Sequence, residues 1–136
     1  MIRLGSEHCN LVSFRGIGVV ISGDSGSGKT ETCFELEKLG FRFVADDAVE
    51  FLVDSNVVYG RRSDVIAGIA NRKGIGLFEI SNETEPVKIV LEVALDENYP
   101  MCHFLMSQND IVRERIEECA PFRAAEQIHI LVKGLV

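Results

Sequence analysis

The sequence contains no long apolar run, no paired cysteine motif and no excess of positive charge. No stretch approaches the roughly 18 consecutive apolar residues of a membrane-spanning helix, and the first residues, Met1-Ile2-Arg3, do not begin a signal peptide. The four cysteines are dispersed and form no C-x-x-C pair, which argues against a zinc site or a disulfide framework. We therefore expect free thiols in a reducing cytoplasm and no association with a membrane.

The charge balance of the chain is acidic. Its 14 basic and 21 acidic residues give a formal net charge of −7, which argues against nucleic acid or an anionic membrane as the main partner. Hydrophobic residues make up 46% of the 136 residues, which is enough for a sizeable core. Because the chain has no internal repeat, low-complexity tract or linker, we predict a single domain over residues 1–136.

The strongest motif is a phosphate-binding loop with the spacing G-x-x-x-x-G-K-[ST]. Its residues are Gly23, Asp24, Ser25, Gly26, Ser27, Gly28, Lys29 and Thr30. The apolar, β-branched run 17–22 before it predicts a buried strand, and the apolar spacing of 30–39 predicts an amphipathic helix that ends at Gly40. A strand, a glycine loop and a helix in this order favour a P-loop, which binds a nucleotide or a similar polyphosphate, over a glycine-rich connector.

The residue types of the loop suit this chemistry. Glycines let backbone N–H groups approach phosphate oxygens, and the helix N-terminus adds partial positive charge. Lys29 can reach the β- and γ-phosphates, and the Thr30 hydroxyl can bind Mg²⁺.

Two adjacent carboxylates, Asp46 and Asp47, follow the predicted strand 41–45. Ligands of α/β sheets bind at the carboxyl ends of the strands. A carboxylate there can hold Mg²⁺ or act as a base beside the γ-phosphate. The alternative is a solvated turn, because aspartates favour turns.

The rest of the chain alternates strand and helix patterns. We predict further strands at 9–14, 77–80 and 87–95, a hairpin formed by 49–53 and 57–59, and helices at 64–70, 110–119 and 124–133. Lys88 and Glu92 are expected on a partly wet face of the strand 87–95, and Pro121 is expected to stop the helix before it. This order predicts an α/β P-loop core with a mixed sheet and flanking helices.

The P-loop stretch 18–32, Glu35-Leu36 and the segment 43–49 resemble the catalytic domain of bacterial HPr kinase/phosphorylase. The resemblance is strongest over residues 7–80 and matches short forms that lack the N-terminal domain. It implies a fold related to the nucleotide-binding domain of phosphoenolpyruvate carboxykinase, and a homo-hexamer. It also implies ATP and Mg²⁺ as cofactors and a serine of the phosphocarrier protein HPr, or an HPr-like protein, as the acceptor.

The same resemblance implies roles for individual residues. His8, otherwise a lone histidine with no motif of its own, would lie near the reaction centre. The loop residues 23–30 would bind the phosphates, with Lys29 on the β- and γ-phosphates and Thr30 on the metal. Asp46 would accept the serine proton, and Asp47 would help to orient the metal.

The sequence also departs from this family. Asn71 replaces a glutamate that assists Mg²⁺ and is a weaker ligand for a hard cation, and Lys73 replaces an arginine. The loop 81–86 is short where the family carries a glycine- and alanine-rich loop that bears on the phosphorylase reaction. Three hypotheses follow: an HPr serine kinase, a kinase of the same chemistry with another peptide or small-molecule acceptor, and an ATP-binding regulatory module that has lost catalysis.

Overall fold

The computed structural model describes residues 1–24, 26–63, 68–72, 75–96, 98–106, 108, 110–117 and 119–136. Its strands are β1 Ile2–Glu7, β2 Asn10–Phe14, β3 Ile17–Ser22, β4 Arg42–Ala45, β5 Val49–Asp54, β6 Val57–Arg62, β7 Ile69–Arg72, β8 Gly76–Glu79, β9 Val87–Ala94 and β10 Val112–Arg115. The helices are α1 Lys29–Lys38 and α2 Pro121–Lys133, with a 3₁₀ turn at His103–Leu105. In the ranges just given, no helix has the length and apolar character needed to cross a membrane.

Eight strands form one mixed sheet. Seven follow the order β1-β5-β6-β9-β3-β2-β4, and β10 pairs with β9. The strand that leads into the P-loop, β3, runs parallel to β9 and antiparallel to β2, and β10 runs parallel to β9. β7 and β8 form a separate two-stranded antiparallel hairpin. The predicted α/β class with a mixed sheet and flanking helices is confirmed.

The main sheet is buried on both faces around β3. Because side chains alternate along a strand, Val19 and Ile21 belong to one apolar cluster and Val20 to the other. The first cluster is covered by the helices through Phe34, Leu36, Ala124 and Ile128. The second is closed by β5, β6 and the 3₁₀ turn through Phe51, Val58 and Leu105. Burial on both faces explains why the run 17–22 is continuously apolar.

A tight turn confirms the predicted hairpin of 49–53 and 57–59, and a second such turn joins β2 to β3. Arg15 and Gly16, between β2 and β3, have φ angles of 51° and 86°, and Ser55 and Asn56, between β5 and β6, have φ angles of 51° and 66°. Two successive residues with positive φ are typical of the two-residue turns whose twist matches that of the flanking strands.

Two predicted helices are wrong in the described residues. Within 110–119, Val112–Arg115 is strand β10, which pairs in parallel with β9. Pro121 begins α2, because the missing proline N–H is not needed in the first helical turn. For the predicted helix 64–70, residues 64–67 lie outside the described part, and Ile69 and Ala70 belong to strand β7.

The position predicted for Glu92 is also wrong: its side chain is fully buried. Its carboxylate accepts hydrogen bonds from the backbone N–H of Cys102 (3.1 and 3.3 Å to the two oxygens) and from Nη1 of Arg113 (3.3 Å). Arg113 lies on β10 and also donates to the carbonyl oxygen of Tyr99 at 2.7 Å. A buried charge needs a charged partner. Arg113 of β10 is that partner, which explains how Glu92 can be buried in β9.

An arginine attaches the β7–β8 hairpin to α1. Arg72 of β7 donates from Nη2 and Nε to the two carboxylate oxygens of Glu31, at 2.8 and 3.1 Å. Its guanidinium carbon lies 4.7 Å from the ring centroid of Phe34 and 5.2 Å from that of Phe78, within cation–π range. The hydrogen bond from Arg72 lowers the pKa of Glu31, and partial burial opposes this change only in part.

We expect Glu92→Leu to lower the free energy of unfolding by about 3–5 kcal/mol, because it leaves the Arg113 guanidinium without its charged partner. Urea unfolding followed by circular dichroism measures the change. Lys88→Gln, an exposed position on the same strand, should change it by less than about 0.5 kcal/mol. A cost for Glu92→Leu no larger than that of the control would contradict this account of β10.

The Glu31–Arg72 pair predicts a pH dependence of stability. Because the pKa of Glu31 is lowered in the folded state, its contribution is present above the ordinary value of 4.5 and is lost as the pH falls through the lowered value. Glu31→Gln should therefore lower the urea midpoint at about pH 7, and the difference from the parent should shrink toward about pH 3. In the Arg72→Ala background the same substitution should have no such pH-dependent effect. A pH-independent difference would argue against the ion pair as its cause.

Candidate active site

The P-loop lies between the end of β3 and the start of α1, as predicted. Gly23, Gly26 and Gly28 have φ angles of 154°, 84° and 92°, in a region that side-chain-bearing residues rarely adopt. A Cβ atom at Gly23 would lie 2.6 Å from Oγ of Ser27. The loop is closed by a hydrogen bond from the Ser27 N–H to the carbonyl oxygen of Asp24 (3.0 Å). Ser25 lies outside the described residues.

Helix α1 presents its first turn to this loop. Gly28 is the N-cap and supplies no side-chain cap, so the first N–H groups of the helix have no partner within it. Such a helix start, preceded by glycines with positive φ, is a site for phosphate oxygens.

Lys29 spans the loop from its helix. Its Nζ donates to the carbonyl oxygens of Gly23 (2.7 Å) and Asp24 (3.3 Å). These hydrogen bonds hold the ammonium group on the concave side of the loop, where an anion held by the loop N–H groups would meet it.

Thr30, in the first turn of α1, meets Asp46, which directly follows β4. Oγ1 of Thr30 donates to Oδ1 of Asp46 at 2.8 Å. Because the hydroxyl proton is used in this hydrogen bond, the lone pairs of the Thr30 oxygen can face a cation. Hydroxyl and carboxylate oxygens are the donors that Mg²⁺ prefers, so these two residues fit a magnesium ion beside the P-loop.

Asp47 and His8 lie next to this pair. Asp47 has a φ of 60° and an exposed side chain. Nδ1 of His8 lies 3.3 Å from the carbonyl oxygen of Asp47 and donates to it when it carries the ring proton, since a carbonyl only accepts. The imidazole is thereby oriented by the Asp46–Asp47 turn, and the structure brings together His8, Asp46, Asp47 and Thr30.

The sequence pattern did not predict a role for Asn10 of β2, which is hydrogen-bonded to both Asp46 and Asp47. Its side chain is fully buried, its Nδ2 donates to Oδ1 of Asp46 (3.0 Å) and toward Sγ of Cys33 (3.6 Å), and its Oδ1 accepts the backbone N–H of Asp47 (2.8 Å). The amide thus fixes both residues of the acidic turn. The signal was present in the sequence: Asn10 is a polar residue at the start of β2, where every residue is buried, and a buried amide needs partners.

The thiol of Cys33, which lies beside Asn10, stays neutral. Burial raises the pKa of Cys33 far above its ordinary value, although the hydrogen bond from Asn10 opposes the change. All four cysteines are free thiols, as predicted, and Cys33 is buried. Cys33 is therefore a packing residue under the P-loop helix and not a nucleophile.

The predicted metal residue Asn71 lies on β7, opposite Leu77 of β8. Its side chain lies outside the described part, as does the whole of Lys73. The next residue, Arg72, binds Glu31, which directly follows Thr30. The hairpin is thus attached close to the start of α1, and the contact of Asn71 with a metal stays a prediction.

Comparisons with known sequences identify the family of this chain. The sequence model of the HPr Serine kinase C-terminal domain matches residues 3–96. The chain is 38% identical over 105 residues to the HPr kinase/phosphorylase of Levilactobacillus brevis, an alignment that covers 69% of this chain and 34% of the relative. It is 30% identical to that of Clostridium kluyveri over 148 aligned positions, which cover 98% of this chain and 48% of the relative. The chain therefore spans between a third and a half of the length of these relatives.

The fold agrees as well. The solved structure of the Hpr(Ser) kinase/phosphatase from Coxiella burnetii superposes with a TM-score of 0.77, covering 95% of this chain and 88% of that one, at 19% sequence identity. This likeness confirms the predicted fold class, a P-loop core of the HPr kinase type. On the match over residues 3–96, the chain belongs to the HPr serine kinase C-terminal domain family.

Proposed function

We propose that this chain is an ATP-dependent kinase that transfers the γ-phosphoryl group of ATP to a serine hydroxyl of HPr or of an HPr-like protein. The observation that carries the proposal is the pairing of Thr30 with Asp46 beside a P-loop whose lysine spans the loop. It brings together a hydroxyl that could bind a metal, a carboxylate, and a lysine that could bind phosphate, between the P-loop and the end of β4. The names of the relatives support a kinase of this kind.

The residues of the site would divide the reaction as follows. Mg²⁺, held by Thr30 and its neighbours, would supply charge neutralisation of the phosphates. The loop N–H groups and Lys29 orient the phosphates for in-line attack, which is most of what phosphoryl transfer requires. Asp46 takes the proton of the serine hydroxyl. The serine oxygen bonds to the γ-phosphorus while the bond between that phosphorus and the β-phosphate oxygen breaks, which releases ADP.

The remaining residues would position this set. Thr30 would hold the metal, and Asp47, exposed at the mouth of the site, would help to orient it. His8 would lie beside the reacting groups, oriented by the carbonyl of Asp47. Asn71 would be a weaker, neutral metal ligand than a carboxylate. A homo-hexamer and a cytoplasmic location stay predictions from the family resemblance.

A second candidate rests on the sequence departures at Asn71 and in the short loop 81–86. By the family resemblance, the position of Asn71 assists the metal, and the loop 81–86 bears on the phosphorylase reaction. A kinase with another acceptor, or a regulatory module that binds ATP without transfer, would retain the P-loop and lose these functions.

The test is a transfer assay with γ-labelled ATP, Mg²⁺ and purified HPr, run beside a nucleotide-binding titration. Label should appear on a serine of HPr. Asp46→Asn should bind ATP as the parent does but transfer at least about a hundredfold more slowly, and Lys29→Ala should lose both binding and transfer. Asp54→Asn, at the exposed end of β5, is the matched control and should change neither.

The outcomes separate the candidates. Parental transfer by Asp46→Asn would remove the role given to this carboxylate. ATP binding without label on HPr would favour another acceptor or the regulatory module. Failure of the parent to bind ATP would overturn the proposal as a whole.

Asn10 should act as a positioning residue in this reaction. Asn10→Leu keeps the volume of the buried side chain but removes a donor to Asp46 and the acceptor for the Asp47 N–H. We expect kcat to fall about tenfold with a smaller change in KM. The loss should fall mainly on kcat because the amide positions Asp46, whereas the nucleotide is bound by the loop residues.

Ser13→Ala, on the same strand and also buried, is the control for changes of packing in β2. It should leave both kcat and KM near the parental values. An equal fall of kcat in Ser13→Ala, or a parallel rise of KM in Asn10→Leu, would indicate a purely structural role for the amide.

A further inference from the structure

A cavity of about 220 Å³ lies beside the P-loop, apart from the residues assigned above to metal and proton transfer. One wall is the loop itself, residues 26–28, and another is Thr32 of α1. The opposite walls are Leu95, which follows β9, Ile116 and Cys119, which follow β10, and Ala124 of α2. It is smaller than the roughly 300–1,000 Å³ sites of drug-sized ligands, so it suits a single ring system and its substituents.

The strand order fixes the side on which the cavity lies. β3, which carries the P-loop, has β2 and then β4 on one side and β9, with β10 beyond it, on the other. Asp46 follows β4, whereas Leu95 and Ile116 follow β9 and β10. The Thr30–Asp46 pair and the cavity therefore flank the P-loop from opposite sides.

A polyphosphate held by this loop has two ends. The end that reacts must lie near Asp46 and Thr30, where a metal and a proton acceptor are available. The other end then leaves the loop on the side of β9 and β10. We propose that the cavity binds the nucleoside part of the nucleotide, its base and ribose, an inference that rests on the proposed function.

The lining fits this ligand. Leu95, Ile116 and Ala124 are buried apolar residues that can pack against the face of a base. The hydroxyl of Ser27 is buried and has no hydrogen-bond partner among the described residues. It can therefore form a hydrogen bond with a polar group of the ligand. Glu117, exposed at the rim, can accept hydrogen bonds from ribose hydroxyls.

The cavity is also preformed. The N–H of Leu95 donates to the carbonyl oxygen of Ser22, and that of Ile116 donates to the carbonyl oxygen of Ala94, both at 2.9 Å. These hydrogen bonds continue the sheet pairing beyond β9 and β10 and hold the two apolar walls in place. Binding there would cost little ordering of the backbone.

Cys119 makes the proposal testable by chemical protection. It is the exposed cysteine of the four, and it lines the cavity, whereas Cys9, Cys33 and Cys102 are buried. A thiol reagent such as a disulfide-exchange chromophore should therefore react with Cys119 first. Saturating ATP should slow this reaction at least about tenfold, because the base and ribose cover the thiol. Inorganic tripolyphosphate, which offers the phosphates without a nucleoside, should slow it less than about twofold.

A blocking variant gives an independent readout by calorimetric titration. Cys119→Trp fills the mouth of the cavity from an exposed position, and we expect it to weaken ATP binding at least about tenfold, a change of about 1.4 kcal/mol. Its affinity for tripolyphosphate should equal that of the parent. Glu126→Trp, at an exposed position of α2 that does not line the cavity, is the matched control and should alter neither affinity.

The outcomes distinguish this inference from the proposed function. If ATP binds in a Lys29-dependent manner but leaves the reactivity of Cys119 unchanged, or if tripolyphosphate protects as well as ATP does, the cavity does not hold the nucleoside and the kinase proposal stands. Equal affinities of the Cys119→Trp variant and the parent for ATP would also overturn the inference. If ATP does not bind to the parent at all, both proposals fail together.

Discussion

The placement of β3 inside the sheet is the constraint on which the site depends. This strand is hydrogen-bonded to β2 on one side and to β9 on the other, and its side chains are buried on both faces. The P-loop therefore begins at a point that cannot shift without disturbing both apolar clusters. Each neighbouring strand adds one component beside the loop: β2 supplies Asn10, and the segment after β9 supplies Leu95.

Charges inside this acidic chain are neutralised by arginines that come from other elements. Glu92 is paired with Arg113 of β10. Glu50 of β5 accepts from Arg3 of β1 at 3.0 Å and from Arg61 of β6 at 2.9 and 2.6 Å; burial opposes ionisation, but the two arginines lower the pKa of Glu50 below its ordinary value. Arg61 lies directly opposite Glu50 in the β5–β6 pairing and is thus its cross-strand partner. These pairs specify which strands lie side by side.

Local patterns allowed the sequence to predict the centre of the fold but not its edges. The P-loop, β3, α1 and the turn at Asp46–Asp47 are each encoded within a few neighbouring residues, by glycine spacing, apolar runs and turn formers. Strand β10 has no such pattern, because Val112–Arg115 owes its conformation to pairing with β9. Glu92 and Asn10 were missed for the same reason: their partners are distant in sequence, so only the folded chain brings donors and acceptors together.

The geometry of the Asn10 amide limits which residue can occupy that position. It presents a donor to Asp46 and an acceptor to the N–H of Asp47 at once. An ionised aspartate has only acceptors and would repel Asp46, and glutamine is one methylene too long for a fully buried site. A residue that replaces Asn10 in this chain would therefore have to supply a donor and an acceptor from an equally short side chain to hold the acidic turn from β2.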